Sequence, residues 1–216
     1  MKRSYRFTKL TVALSLIITA LATPITTLAM EPVLVIDENI SPQVTVAASD
    51  ACALIPAEIK KAILSHNTTI NITTSDPAIA NAGGKTYLYA VSDSNGFDVW
   101  DGQAEIFING SMNAEDTIFS VVHEVGHWTD AYVGELNANP GTAVDIISDA
   151  SSSTAAFKEI FDAEKETSGL GTYYKANANE YYAECFCLYF VSPQTLETRM
   201  PRTYSYIQND ISIASK

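Results

Sequence analysis

Val121-Val122-His123-Glu124-Val125-Gly126-His127-Trp128 is the stretch on which the reading of this chain turns. It contains the pattern H-E-x-x-H. Histidines four apart project from one face of a helix about one turn from each other, so both imidazoles can bind one zinc ion. Glu124, beside the first ligand, is then placed to take a proton from a metal-bound water, whose pKa zinc lowers from about 15.7 to roughly 7. That is the chemistry of peptide hydrolysis. A short pattern can arise by chance, and histidines on apolar helices are often satisfied core groups. Here the chain has only three histidines, and two of them fall in this segment.

The flanking residues support a helix. Asn113 is a good N-cap, and Glu115 and Asp116 put negative charge in the first turn, where free backbone N–H groups favour it. Ile118, Val121, Val122 and Val125 form an apolar stripe, with His123 and His127 beside it toward a cleft. Gly126 costs a helix interior about 1 kcal/mol relative to Ala, so a close approach to the backbone is expected there.

Zinc needs a third protein ligand, and His66 is the one other histidine. Metzincins place a glycine three residues and a histidine six residues after the second histidine; here those positions hold Asp130 and Val133. A carboxylate must serve instead, and the candidates are Asp130, Glu135, Asp145, Glu180 and Glu184. Asp130 shares the histidine face but sits too close along the same helix, which suits a supporting or surface role. Glu180 and Glu184 lie i, i+4 on an otherwise apolar and aromatic helix, where two carboxylates are costly unless paired or metal-bound. Glu180 as ligand, with Glu184 accepting the outer N–H of a histidine, satisfies both. The alternative is that Glu180 caps its helix from Asn177 while Glu184 faces solvent.

Upstream, Pro56 to His66 reads as a helix, Thr68 to Thr74 and Thr86 to Val91 as strands, and Asn95-Gly96 as a turn. Glu105-Ile106-Phe107-Ile108-Asn109 is the last strand before the motif helix. In the zincin-type fold, whose element order this chain resembles, that last strand commonly lines the cleft and pairs with an extended substrate through an open sheet edge, and the same is expected here. A helix, several strands and then a metal helix is the order of a zincin-type metallopeptidase. The fold class expected is therefore α+β, with a small mixed sheet, the H-E-x-x-H helix and a mainly helical C-terminal half.

Residues 1–29 begin with Lys2, Arg3, Arg6 and Lys9, continue through the apolar run Val12 to Leu21, and end at Thr27-Leu28-Ala29. That is the layout of a secretory signal peptide, and the run is short for a membrane span. Residues 30–50 read as an extended leader or linker, with Val33 to Ile36 and Val44 to Val46 as short strands. Residues 51–216 have the length of one domain. Removing the signal takes away four of 13 basic residues and none of 25 acidic ones, which moves the formal charge from −12 to −16. So acidic a surface argues against nucleic acid and against stable membrane association, since both reward clustered Lys and Arg. Cys52, Cys185 and Cys187 show no zinc-ribbon spacing and read as buried free thiols, with a bridge from Cys52 as the alternative.

His123-Glu-x-x-His127, then Tyr173, then Asn179-Glu180-Tyr181-Tyr182-Ala183-Glu184-x-Phe186, resembles the catalytic domain of anthrax lethal factor and its smaller secreted relatives, the Pro-Pro endopeptidases. Pro201 to Ile207 is similar to that domain's last helix. The resemblance runs from about residue 118 to 210 and is only topological over 51–110. It implies one zinc ion on His123, His127 and Glu180, Glu124 as general base, and a tyrosine at position 173 that stabilises the oxyanion. Tyr174 is adjacent and could hold that role instead. The chain has no room for the carrier-binding domains of the large toxin, so the resemblance points to a secreted monomer acting on extracellular proteins or peptides, with proline-rich substrates implied. Trp100 is a candidate platform for a proline ring; its other reading is core filling. The rivals are a zinc endopeptidase without proline preference and a secreted binding module that keeps the fold without catalysis. The intact Glu124 weighs against the second.

Overall fold

The computed structural model describes residues 33–92, 98–138, 145 and 148–216, so the expected signal peptide and the Asn95-Gly96 turn lie outside the described residues. Strand β1 (Leu34–Ile36) leads into helices α1 (Pro42–Leu54) and α2 (Ala57–Ser65), then strands β2 (Ile70–Thr73), β3 (Gly84–Ser92) and β4 (Asp98–Asn109). The remainder is helical: α3 (Ala114–Asn137), α4 (Ala155–Glu164), α5 (Ala178–Val191), α6 (Pro193–Arg199) and α7 (Pro201–Ala214), with a short 3-10 turn at Ser151–Ser153. The fold is the mixed α+β arrangement expected, with a small sheet and a mainly helical C-terminal half.

The sheet runs in the order β1-β2-β4-β3. β1, β2 and β4 are parallel, and β3 returns antiparallel along β4. The register aligns Ile70 with Ile106 and Ile72 with Ile108, and all four are fully buried. Side chains alternate across a strand, so these isoleucines share the face that forms the core with Val121, Val122 and Val125 of α3. β4 is therefore an inner strand. The cleft edge expected at Glu105–Asn109 belongs instead to β3, which has no strand on its outer side among the described residues. The reason is the hairpin: antiparallel return places β3 outside β4, and strand order in a sheet is not written in strand order along the chain.

Residues 34–54 correct the extended leader. β1 pairs with β2, and the expected strand at Val44 to Val46 is part of α1. Ser41 caps that helix by accepting the Val44 N–H at 3.4 Å, and Pro42 stands in its first turn, where a missing N–H costs nothing. Val44, Ala47, Ala48, Ala51 and Cys52 form a buried stripe with helical spacing, and α1 packs on α3. All three cysteines are buried. Among the described residues no helix is long and apolar enough to cross a membrane.

Candidate active site

Helix α3 begins as its sequence dictates. Asn113 Oδ1 accepts the Asp116 N–H at 2.9 Å, and Glu115 and Asp116 occupy the first turn. Val121, Val122 and Val125 are fully buried, which turns His123 and His127 toward α5 with 12 % and 13 % of their side chains exposed. The two helices run antiparallel, with contacts pairing Phe119 and Cys187, His123 and Glu184, Gly126 and Ala183, His127 and Glu180, and Asp130 and Asn179. Gly126 explains itself here. A Cβ at that position would stand 3.0 Å from Ala183 Cα, so its absence lets the backbones approach.

That register gathers the three expected ligands. Glu180 Oε2 lies 3.4 Å from Nε2 of His123 and 3.7 Å from Nε2 of His127, and the three groups have ligand atoms within 4.8 Å of one another. Tetrahedral zinc with ligands at about 2.0–2.1 Å spaces those atoms about 3.4 Å apart. Glu180 Oε2 is buried and accepts no hydrogen bond. An orphaned carboxylate oxygen between two imidazole nitrogens is costly in a protein and ordinary around a cation, so the donor set fits zinc. Glu184 Oε2 sits 3.3 Å from Nδ1 of His123, off the axis of a straight hydrogen bond but on the ring's outer side, as expected of a supporting carboxylate.

The charges agree. Burial works to raise the Glu180 pKa, but the His123 and His127 imidazoles outweigh it and hold the carboxyl well below the usual range. Burial works to lower the His123 pKa, but Glu180 and Glu184 outweigh it and hold the ring up at about 9. Two imidazoles facing two carboxylates in a half-dry site attract positive charge, and a divalent cation can replace the protons that would otherwise supply it.

Glu124 is 6 % exposed and faces a cleft of about 410 Å³ that Gly84, His123, Tyr173, Tyr174 and Glu184 also line. Two features of the edge strand hold it, and neither was evident from the sequence. Thr86 Oγ1 donates to Glu124 Oε2 at 2.8 Å and lies 2.9 Å from the Glu124 carbonyl oxygen. A Cβ on Gly84 would lie 2.7 Å from Glu124 Cγ, so the missing side chain of this glycine makes room for the acid. The adjacent glycines before a β-branched strand were the available signal.

Both tyrosines reach the cleft. Tyr173 is 63 % exposed; burial and then the Glu180 charge raise its phenol to about 12, so it remains a proton donor at neutral pH. The Tyr174 ring centre is 5.7 Å from that of His123, and burial followed by the Glu184 charge raises its phenol further. Of the other carboxylates weighed as ligands, Glu135 contacts His66 at 3.2 Å and Asp130 is fully buried against Ser152 and Asn179. Trp100 is corrected as a proline platform. Its indole is 7 % exposed, stacks on His66 at 5.4 Å, and lies outside the residues that line the cleft. A larger hollow of about 500 Å³ between α4 and α7 holds no histidine or carboxylate cluster.

The chain and its fold have known counterparts. A Pro-Pro endopeptidase of Clostridioides difficile (strain 630) is 33 % identical over 87 residues, which cover 39 % of this chain and 39 % of that protein's own length. The solved structure of a Pro-Pro endopeptidase from Paenibacillus alvei matches with a TM-score of 0.50 at 22 % identity, over 82 % of this chain and 96 % of that one, a likeness of fold. The family model described as anthrax toxin lethal factor, N- and C-terminal domain, matches residues 90–210. With more than half of its length matched, this chain belongs to the anthrax toxin lethal factor family.

Proposed function

We propose that the protein is a secreted, zinc-dependent endopeptidase of the zincin type that cuts extracellular proteins or peptides at Pro-Pro sites. The observation that carries this reading is the convergence of His123, His127 and Glu180, with Glu180 Oε2 buried and without a hydrogen bond. Zinc bound there supplies Lewis acidity, which draws charge from a peptide carbonyl and acidifies water. Glu124, fixed by Thr86 at the cleft wall, takes the proton from the attacking water and returns it to the leaving amine. Tyr173 donates its phenol proton as a hydrogen bond to the carbonyl oxygen as negative charge develops on it; Tyr174, beside the His123 ring, is the alternative donor. Glu184 orients the His123 ring. The outer edge of β3, without a partner strand among the described residues and with Gly84 at the cleft, pairs with an extended peptide and delivers its bond to this constellation. The proline preference rests on the relatives' names, and secretion on residues 1–29.

The test is digestion of a peptide library carrying Pro-Pro at fixed central positions, with and without a zinc chelator, and cut sites read by mass spectrometry. Cuts between prolines that the chelator abolishes are expected. Chelator-sensitive cuts elsewhere would keep the mechanism and remove the proline preference. Cuts unaffected by the chelator would overturn the metal reading.

A further inference from the structure

The proposed zinc set is split between two helices: His123 and His127 stand on α3, and Glu180 stands in the first turn of α5. Its geometry therefore depends on how these helices are fastened. One fastening is apolar, at Gly126 and Ala183, where the backbones touch. That approach lies about one turn from Glu180, and at the first turn of α5 itself the hydrogen bond to α3 comes from Asn179 to Asp130.

Asp130 lies one turn beyond His127 and has no exposed surface. A carboxylate so placed is costly unless its oxygens are satisfied, and three donors satisfy this one. Ser152 N–H donates to Oδ1 at 2.7 Å, Ser152 Oγ donates to Oδ2 at 2.6 Å, and Asn179 Nδ2 donates to Oδ2 at 3.0 Å. The two bonds from Ser152 hold the carboxylate plane, leaving Oδ2 aimed at α5. Asn179 is the residue before Glu180, and the Glu180 N–H is itself held by Asn177 Oδ1 at 2.8 Å. The backbone that carries the third ligand is thus fixed to its own helix cap on one side and to α3 on the other.

From this arrangement we propose that Asp130 is a positioning residue for the metal: through Asn179 it locks the first turn of α5 to α3 and sets Glu180 at coordinating distance from His123 and His127. The proposal rests on reading those three residues as the zinc set. Asp130 touches neither substrate nor metal, and its effect is on affinity for zinc before any effect on the rate with zinc bound.

The experiment measures zinc affinity of the full mature protein by competition with a chromogenic chelator, alongside thermal unfolding of the zinc-stripped proteins. Asp130→Leu keeps the branched shape but removes every acceptor for Asn179; affinity is expected to fall about 10- to 100-fold, the usual effect of losing a supporting partner. Asp130→Asn keeps an acceptor oxygen and can pair with Asn179 once that amide turns, so it should lose much less. Asn179→Ala changes an exposed side chain, so it should fold normally and lose about tenfold, and it carries the test if Asp130→Leu unfolds. Wild-type affinity in folded Asn179→Ala and Asp130→Leu would overturn the clamp and leave the zinc reading standing. Asp130→Asn binding zinc no more tightly than folded Asp130→Leu would also overturn it. A wild type that takes no zinc would overturn the metal set, and the clamp with it.

Discussion

Two histidine–carboxylate groupings meet on helix α3, and they end differently. Glu135 near its C-terminal end lies 3.2 Å from Nε2 of His66, whose Nδ1 is 2.8 Å from the Ala62 carbonyl oxygen and whose ring stacks on Trp100. Both ring nitrogens have oxygen partners and the ring packs among Trp100, Trp128 and Tyr132, so the protein completes this grouping by itself. At the cleft, His123 and His127 face Glu180 across 3.4 and 3.7 Å, yet Oε2 of Glu180 accepts no hydrogen bond. Residue type does not separate the two places. The difference lies in whether the polar atoms satisfy one another or converge on a common point, and convergence is what a metal requires.

The strongest way to sharpen that contrast is to remove the group beside the convergence. Glu124→Ala should still bind one zinc by atomic absorption while turnover falls by roughly 10²–10⁴-fold, the usual contribution of a general base. Near-normal hydrolysis by the metal-loaded variant would sink the mechanism. Gly84→Ala probes the same acid from the strand side. Its Cβ would meet Glu124 Cγ at 2.7 Å and the Phe107 carbonyl oxygen at 2.9 Å, and the backbone oxygen has little room to yield. A displacement of about 1 Å at a reacting group costs on the order of 100-fold in rate, so turnover should drop by about that factor with zinc content unchanged. Wild-type kinetics in Gly84→Ala would mean that Glu124 is not held by β3.

These predictions also divide what the sequence discloses from what it hides. The α3 signals are local: a cap at Asn113, a valine stripe, and histidines four apart are all read within one helix. Glu180 and Glu184 were legible for a related reason, since two carboxylates on one face of an apolar helix demand partners wherever that helix sits. The Thr86 bond to Glu124 spans 38 residues and depends on β3 being the outer strand, which no local pattern encodes. Trp100 failed as a platform because an indole beside a cleft and an indole in a core look alike in sequence. The α1 error was avoidable. Ser41-Pro42 is a cap followed by a first-turn proline, and Val44, Ala47, Ala48 and Ala51 repeat with helical spacing, but the alternation in Val44-Thr45-Val46 is also a strand pattern.

Asp210 is a third kind of carboxylate, satisfied but crowded. Ser151 Oγ and Tyr182 Oη donate to its Oδ2 at 2.6 and 3.0 Å, while burial, joined by the charge of Asp130, raises its pKa from 3.8 to about 6 against those donors. The folded state therefore holds the proton more tightly than the unfolded chain, and the stability of the fold falls as pH rises from about 4 to about 6. Moving a carboxyl that far corresponds to roughly 3 kcal/mol, of which about 2 kcal/mol is lost between pH 4 and neutral pH, because the unfolded carboxyl is already more than half ionised at pH 4. Asp210→Asn should remove this slope and gain about 2 kcal/mol at neutral pH relative to pH 4. Parallel pH profiles of denaturant midpoint for wild type and variant would show that Asp210 does not titrate there.

The smallest expected effect tests the comparison most directly, because it falls on the completed grouping. His66→Leu removes the contacts to Glu135 and the Ala62 carbonyl but keeps an apolar body between Trp100, Trp128 and Tyr132. Glu135 is 39 % exposed, so water can solvate it once its partner is gone, and the cost should be about 1 kcal/mol in denaturant unfolding. Zinc stoichiometry and turnover should stay at wild-type levels. The matching change at the cleft, His123→Leu, should abolish zinc binding. If His66→Leu also shed the metal, the two groupings would be energetically joined along α3, and hydrogen-bond completion would no longer separate a structural histidine from a ligand in this fold.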